Sequence, residues 1–280
     1  MLKINHNGGF FSCCTVNLES IVKYFNKEKK IPEKIDSTGQ FNMYKPASKI
    51  NQDIKSDYFD TTSEIISYES DIYFTKENDE LQFSEYSKLE FDKINPFIRK
   101  YFSPSPEIIK IICQIEEKYE IKYDNLCAIF YRGNDKEIET ILPSYDEFIQ
   151  KAKDIREKNP EIIFLIQSDE TEFLVEMKKA FPSSIIFYDE IRHVSKKVIT
   201  VDRLCPPDLN YLYSKLFLAI IIILSKCKYV ITTTGNCSLW ISFFRGNATG
   251  IQQFLSRKKI IWGTVNPYYK ESENSWMGQL

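Results

Sequence analysis

Hydrophobic and polar positions follow two different patterns along the 280 residues. From Leu126 onward, short apolar runs alternate with amphipathic stretches. Leu126–Tyr131 is a continuous apolar run, as a parallel strand covered on both faces requires. Ser144 to Glu157 carries helical spacing with Ser144 as its N-cap. Ile162–Ile166 reads as the next strand, Thr171–Phe181 as a helix and Ile185–Tyr188 as a strand. Leu209–Ser225 is a long apolar helix, Tyr229–Thr233 a strand, and Cys237–Phe244 another helix. Such alternation predicts an α/β fold with a doubly wound parallel sheet and right-handed crossovers in the C-terminal half.

The first hundred residues read differently. Residues 2–5 form a short strand, and His6-Asn7-Gly8-Gly9 breaks the pattern as a tight turn would. Val16, Leu18, Ile21, Val22 and Phe25 then fit a helix over Thr15–Phe25. Residues 26–103 are rich in Lys, Asp, Asn, Ser, Tyr and Phe, with few apolar runs. There Asp71–Thr75 and Leu81–Phe83 are candidate strands and the rest is loop-rich. Ser103-Pro104-Ser105-Pro106 marks a break and starts a helix running to about Tyr119, with Ser105 as N-cap, Pro106 at the first position and Ile108, Ile109, Ile112 and Ile115 inward.

Composition adds boundaries. Length allows one large domain or two small ones. The net charge of −2 argues against a nucleic-acid binder that works through a basic surface. The longest apolar run, Leu216–Leu224, is far short of the ~20 residues that span a bilayer and reads as a buried helix. No apolar signal core follows Met1. The expectation is a soluble, cytoplasmic protein, and the Lys-, Ile- and Asn-heavy usage points to a bacterial or viral gene. The seven cysteines lack CxxC spacing and read as reduced, mostly buried thiols, with Cys113, Cys127, Cys227 and Cys237 in apolar patterns. With two histidines, His6 and His193, no metal site is expected.

Ligands of doubly wound sheets bind beyond the carboxyl ends of the strands. Three polar segments qualify: Tyr131 to Lys136, Gln167 to Glu170, and Thr234 to Ser238. A guanidinium at a strand end can grip two oxygens of a phosphate, and Gly133 beside it would let backbone donors approach. Arg132 is therefore the leading anion-binding candidate; pairing with Asp135 or Asp169 to fix the loops is the alternative. Asp169 also suits the N-cap of the following helix. Thr233, Thr234, Asn236 and Ser238 make a hydroxyl- and amide-rich turn at a helix N-terminus, a phosphate seat or simple capping. Gly8 and Gly9 admit close approach of a ligand to a helix N-terminus, or merely pack strand on helix.

These segments, in this order, carry a resemblance. Cys127 to Lys136 resembles the His-Val-Arg-Arg-x-Asp-Lys motif of the fucosyltransferase-like GT-B superfamily of α1,6-, α1,2- and protein O-fucosyltransferases. Ile163 to Glu170, with Phe173-Leu174 and Phe181-Pro182, is similar to that superfamily's strand, Thr-Asp-Asp/Glu, helix, Pro segment. Leu224 to Ser238 resembles its Leu-Ser-x-Ala-Asp-Tyr-Val-Val-x-Thr-x-Ser-Ser segment, and Gly8-Gly9-Phe10 occupies the place of its glycine-rich acceptor-side loop. The resemblance covers about residues 120–245 and the first 25. Phe130 stands where the motif has His, Gly133 where it has a second Arg, and Ile220 where an acidic residue precedes the third strand.

The resemblance implies a GT-B-like fold of two Rossmann-like halves: an acceptor-side domain at 1–105 and a nucleotide-sugar-binding domain at 106–280. It implies a metal-independent glycosyltransferase without cofactor, transferring fucose from GDP-fucose to a glycan or protein acceptor with inversion. Arg132 would stabilise the leaving diphosphate. Glu139, the nearest equivalent of the catalytic Glu before Pro143, or His6 would be the base. Asn134, Asp135, Ser168, Asp169, Thr233, Thr234, Gly235, Asn236 and Ser238 would line the nucleotide-sugar site. The three altered positions leave a second reading open, a non-catalytic GT-B fold that binds a sugar or a partner protein.

Overall fold

The computed structural model describes residues 1–75, 80–196, 199–256, 260–261, 264–265 and 274–278. The chain opens with β1 (Leu2–Asn5), α1 (Phe10–Glu28) and β2 (Ile35–Gly39), and β1 and β2 pair in parallel. α1 starts at Phe10, five residues before the apolar spacing predicts, because Phe10 and Phe11 are themselves buried and turn inward. A run of 3₁₀ turns follows, with β3 (Phe59–Asp60) pairing antiparallel with β4 (Ser103–Pro104) around α2 (Phe91–Tyr101). Leu81–Phe83 is a 3₁₀ turn rather than a strand, and Asp71–Thr75 has no regular structure. Their apolar side chains anchor irregular backbone: Leu81, Phe83 and Ile72 are all buried.

α3 (Pro106–Lys118) begins where the Ser-Pro signal places it, with the Ser105 hydroxyl accepting from the Ile108 N–H. Ile108, Ile112 and Ile115 face inward, but Ile109 is 48% exposed. It lies about 100° round the helix from Ile108, outside the packed stripe.

The remainder is the predicted sheet. β5 (Leu126–Tyr131), β6 (Ile163–Ser168), β7 (Tyr229–Thr233) and β8 (Ile251–Leu255) are parallel, and β11 (Ser275–Met277) closes the β8 edge antiparallel. The order is β11-β8-β7-β5-β6. A separate short ladder joins β9 (Ile260–Ile261) to β10 (Thr264–Val265). The predicted strand at Ile185–Tyr188 reduces to a single parallel bridge between Ile185 and Leu165. The connecting helices are α4 (Tyr145–Lys158), α5 (Thr171–Ala180), α6 (Pro207–Lys226) and α7 (Asn236–Arg245).

Alternation along the strands builds two cores. Cys127, Ile129 and Tyr131 pack with Phe148 of α4 and Phe173 of α5. Leu126, Ala128 and Phe130 pack on the other face with α6, α7, α3 and α1. By length and composition α6 could cross a membrane, yet 61% of its most apolar window is buried inside the fold, as a core helix is. The second core runs without a break from Phe10 to Ile251. The first 105 residues contribute two-stranded pairs to it, not a second Rossmann-like sheet, among the described residues.

All seven cysteines are free thiols. Cys13, Cys14, Cys127 and Cys227 are buried, but Cys113 is exposed on the outer side of α3, contrary to its apolar sequence setting.

Candidate active site

β5 is central, with β6 on one side and β7 on the other. The crossover between them changes direction there, so the carboxyl ends of β5 and β7 diverge around a crevice. A cavity of about 340 Å³ occupies it, within the size range of small-molecule sites. All three segments picked from the sequence reach it. His6, Gly8, Gly9, Arg132, Asp135, Glu139, Ser168, Asp169, Thr234, Gly235, Asn236 and Ser238 line the cavity. Phe130 and Ile220, two positions that depart from the resembled motifs, line it as well.

Asn134 and Thr233 do not. Asn134 is fully buried at φ 48°, donating its side-chain N–H to the Asp169 carbonyl at 2.7 Å and its backbone N–H to Glu170 Oε2 at 3.1 Å. It fixes the loop. Thr233 is buried within β7, one residue short of the opening.

Arg132 lies between two carboxylates, pairing with Asp135 at 2.7 Å and with Asp169. This realises the loop-fixing alternative, and three of the five guanidinium N–H donors stay uncommitted by these two contacts. Asp169 is thereby drawn away from the N-cap of α5. Glu170 takes that position without a side-chain cap bond, while Asp169 accepts from the Gly133 N–H at 2.9 Å. Gly133 therefore offers no free donor to a ligand. Its glycine is required for another reason: a Cβ there would fall 1.9 Å from Glu170 Oε2. Burial raises the Glu170 carboxyl above its ordinary range, and Tyr145 hydrogen-bonds it.

The side chains of the third segment are also committed. Thr234 Oγ1 donates to the Phe254 carbonyl and accepts from Gln253 Nε2 and the Ser256 N–H. Ser238 and Thr232 share a 2.6 Å hydroxyl bond. Asn236 accepts from Thr15 Oγ1 at 2.7 Å and donates to Gln82 at 3.0 Å. What this turn presents instead is the first-turn backbone of α7, whose N–H groups have no intrahelical acceptor. Gly235, at φ 149°, caps that helix without a side chain, and Gly9 does the same for α1. Two helix N-termini thus converge on one cavity, each with the partial positive charge of its dipole.

Two further cations escaped the sequence reading. Lys136 is 7% exposed and pairs with Glu139 at 2.6 Å. It belongs to the Arg132 loop, so its place in the motif was a usable signal. Arg192 pairs with Asp202, which in turn accepts from Tyr44 Oη at 2.8 Å; Tyr44 accepts from the Phe10 N–H at 2.8 Å. Applying the carboxyl-end rule to Ile185–Tyr188 points at Arg192. Nothing local marks Tyr44 or Asp202, which tertiary packing brings in from 158 residues apart. His6 Nε2 lies 2.8 Å from Ser12 Oγ, and burial lowers its pKa, which favours the neutral ring. A neutral imidazole can take a proton.

No family model matches this chain, and no curated protein does. Among solved structures it is similar to NodZ alpha-1,6-fucosyltransferase soaked with GDP-fucose, at 14% identity over 60% of this chain and 50% of that one, with a TM-score of 0.39. It is similar to the same enzyme co-crystallized with GDP at 16% identity, 58% and 48% coverage and 0.39. A mutant of Arabidopsis thaliana FUT1 in complex with GDP matches at 12% identity, 69% and 46% coverage and 0.38. The chain spans about half the length of these structures.

Proposed function

We propose that this chain is a metal-independent glycosyltransferase that binds a nucleotide sugar, GDP-fucose first, and passes the sugar with inversion to a glycan or protein acceptor. One observation supports this above others: Arg132, Lys136, Arg192 and the N-termini of α1 and α7 share a single cavity at the switch point of the sheet. A diphosphate needs several donors of this kind at once.

In the proposed reaction an acceptor hydroxyl attacks the anomeric carbon, and the bond from that carbon to the phosphate oxygen breaks. The diphosphate leaves with the electron pair. Arg132, kept in place by Asp135 and Asp169, neutralises the growing charge. Glu139 or His6 takes the hydroxyl proton. Burial favours the neutral form of His6, while Glu139 must release Lys136 as it becomes protonated.

A second reading has its own support. Each of the three cations lining the cavity is paired with a carboxylate, and Glu190 adds a further acid. A cavity whose cations are already paired also suits a neutral sugar held without chemistry. Thermal-shift titration with GDP, UDP, CDP and ADP separates the two. Stabilisation by GDP, with transfer that falls roughly 10²–10³-fold in Arg132→Ala, is the expected result. Transfer by Arg132→Ala at the wild-type rate would overturn the mechanism. A response to free sugars and to no nucleotide would establish the binding module.

A further inference from the structure

Gln167 lies near the carboxyl end of β6, directly opposite Phe130 of β5. Strand alternation sends Phe164 and Ile166 toward α4 and α5, so Gln167 points with Leu165 and Phe130 to the α6 face. It is 1% exposed and lines the cavity, and neither its Oε1 nor its Nε2 has a hydrogen-bond partner. Phe130 stands beside it, with the Phe217 ring 6.4 Å from that of Phe130, and Ile191 and Ile220, one helical turn from Phe217 on α6, add apolar lining to the same cavity. A buried amide with both ends unmatched destabilises a fold. No loop or helix end gains from it here, unlike the committed side chains of Thr234 or Asn134.

We propose that Gln167 is the specificity-determining residue of a nucleobase compartment, reading the in-plane edge of the base while Phe130 and the Phe217–Ile220 face of α6 cover its flat faces. The inference rests on the nucleotide-sugar reading above and deepens it. A carboxamide presents one donor and one acceptor side by side. That matches the paired donor and acceptor on the edge of a purine or pyrimidine. A sugar ring carries hydroxyls over its whole rim and would leave them unpaired against these walls. The cavity then divides by chemistry. The cationic mouth at Arg132 and Lys136 takes the phosphates, and the apolar floor at Gln167 takes the base.

The test uses Gln167→Met, which keeps the length of the side chain and removes the amide. The ligand-free variant is expected to melt about 2–4 °C higher than the wild type, since an unmatched buried amide is gone. Its affinity for the preferred nucleoside diphosphate should fall roughly tenfold or more, as the loss of two hydrogen bonds implies. Inorganic pyrophosphate should bind both proteins equally. Unchanged nucleotide affinity, or an equal loss for pyrophosphate, would overturn the assignment while leaving the nucleotide-sugar reading intact. If no nucleoside diphosphate binds the wild type, that reading falls and this inference falls with it.

Discussion

The sheet half and the first hundred residues are held together by different means. In the sheet half, backbone ladders do the ordering, and β5 buries all six of its residues between two helical layers. In the first hundred, strands are two to five residues long and side chains do the ordering. The Phe10 ring has Phe41, Tyr44 and Tyr58 within 5.6 Å. Asn17 bonds both Ser37 and Gln40, 20 and 23 residues on, and Asn26 clamps the backbone of Ile72 in both directions. The two kinds of order meet at the cavity. The ladder supplies a rigid wall with Arg132, Gln167 and the α7 start. The aromatic region supplies an opposing wall with His6, Gly9 and Tyr44.

The joint between the two walls carries the largest expected effect. Trp240 of α7 is fully buried, packs at a tilt with its ring 4.7 Å from that of Phe102 and donates Nε1–H to Thr15 Oγ1 of α1 at 3.0 Å. Trp240→Ala opens a void and strands the Thr15 hydroxyl contact. It should cost about 3–5 kcal/mol of stability in denaturant unfolding. Because one core serves both regions, the loss should appear in a single transition seen equally by near- and far-ultraviolet dichroism. Two separated transitions, with only the first shifted, would break the idea of a shared core.

How much was readable from the sequence follows the same division. The sheet was legible because a strand buried on both faces must be apolar, as β5 is throughout and as β6 and β7 are up to their polar carboxyl ends at Gln167-Ser168 and Thr232-Thr233. Helix starts at Ser105 and Ser144 were legible because capping is a local bond; Ser144 and Glu147 form the reciprocal capping box. The carboxyl-end rule then located Arg132 and the Thr234–Ser238 turn. Side-chain commitments were not legible. Whether Asp169 caps α5 or grips Arg132 depends on a neighbour strand 37 residues away, which spacing does not encode. Tyr44 and Asp202 were invisible for the same reason, and Leu81–Phe83 looked like a strand because burial of irregular chain leaves the same apolar signature.

A smaller effect sharpens the contrast through charge. Glu19 of α1 is packed in the side-chain-ordered region, and burial, with Glu80 adding repulsion, pushes its carboxyl up to about 7. A raised carboxyl pKa means the folded state holds a proton that the unfolded state releases. The penalty is absent below about pH 4.5, grows through about pH 7 and is full above it. Glu19→Gln should therefore stabilise the protein by about 1–2 kcal/mol at pH 8, discounted for partial exposure, and by nothing near pH 4.5. A melting-temperature gain of equal size at both pH values would show that the gain comes from packing instead.

The smallest effect is the most discriminating, because it sets a helix start in one wall against its counterpart in the sheet. At Ser144 a side-chain cap is exposed and purely structural, so Ser144→Ala should lose about 1 kcal/mol and leave ligand binding unchanged. Gly9 caps α1 at φ −60°, ψ 162°, a conformation open to any residue, and the nearest atom to an added Cβ is Tyr44 Oη at 4.0 Å. Nothing in the fold demands glycine there. Gly9→Ser should then gain about 0.5–1 kcal/mol, from a side-chain cap and a stiffer unfolded chain. If the α1 N-terminus helps hold a diphosphate, the same serine hydroxyl occupies the donors that the phosphate needs. Stability would rise while the nucleotide-induced thermal shift shrinks. A rise in stability with the full nucleotide response would remove α1 from the anion seat and leave the ladder wall, with Arg132, Lys136 and α7, to hold the diphosphate by itself.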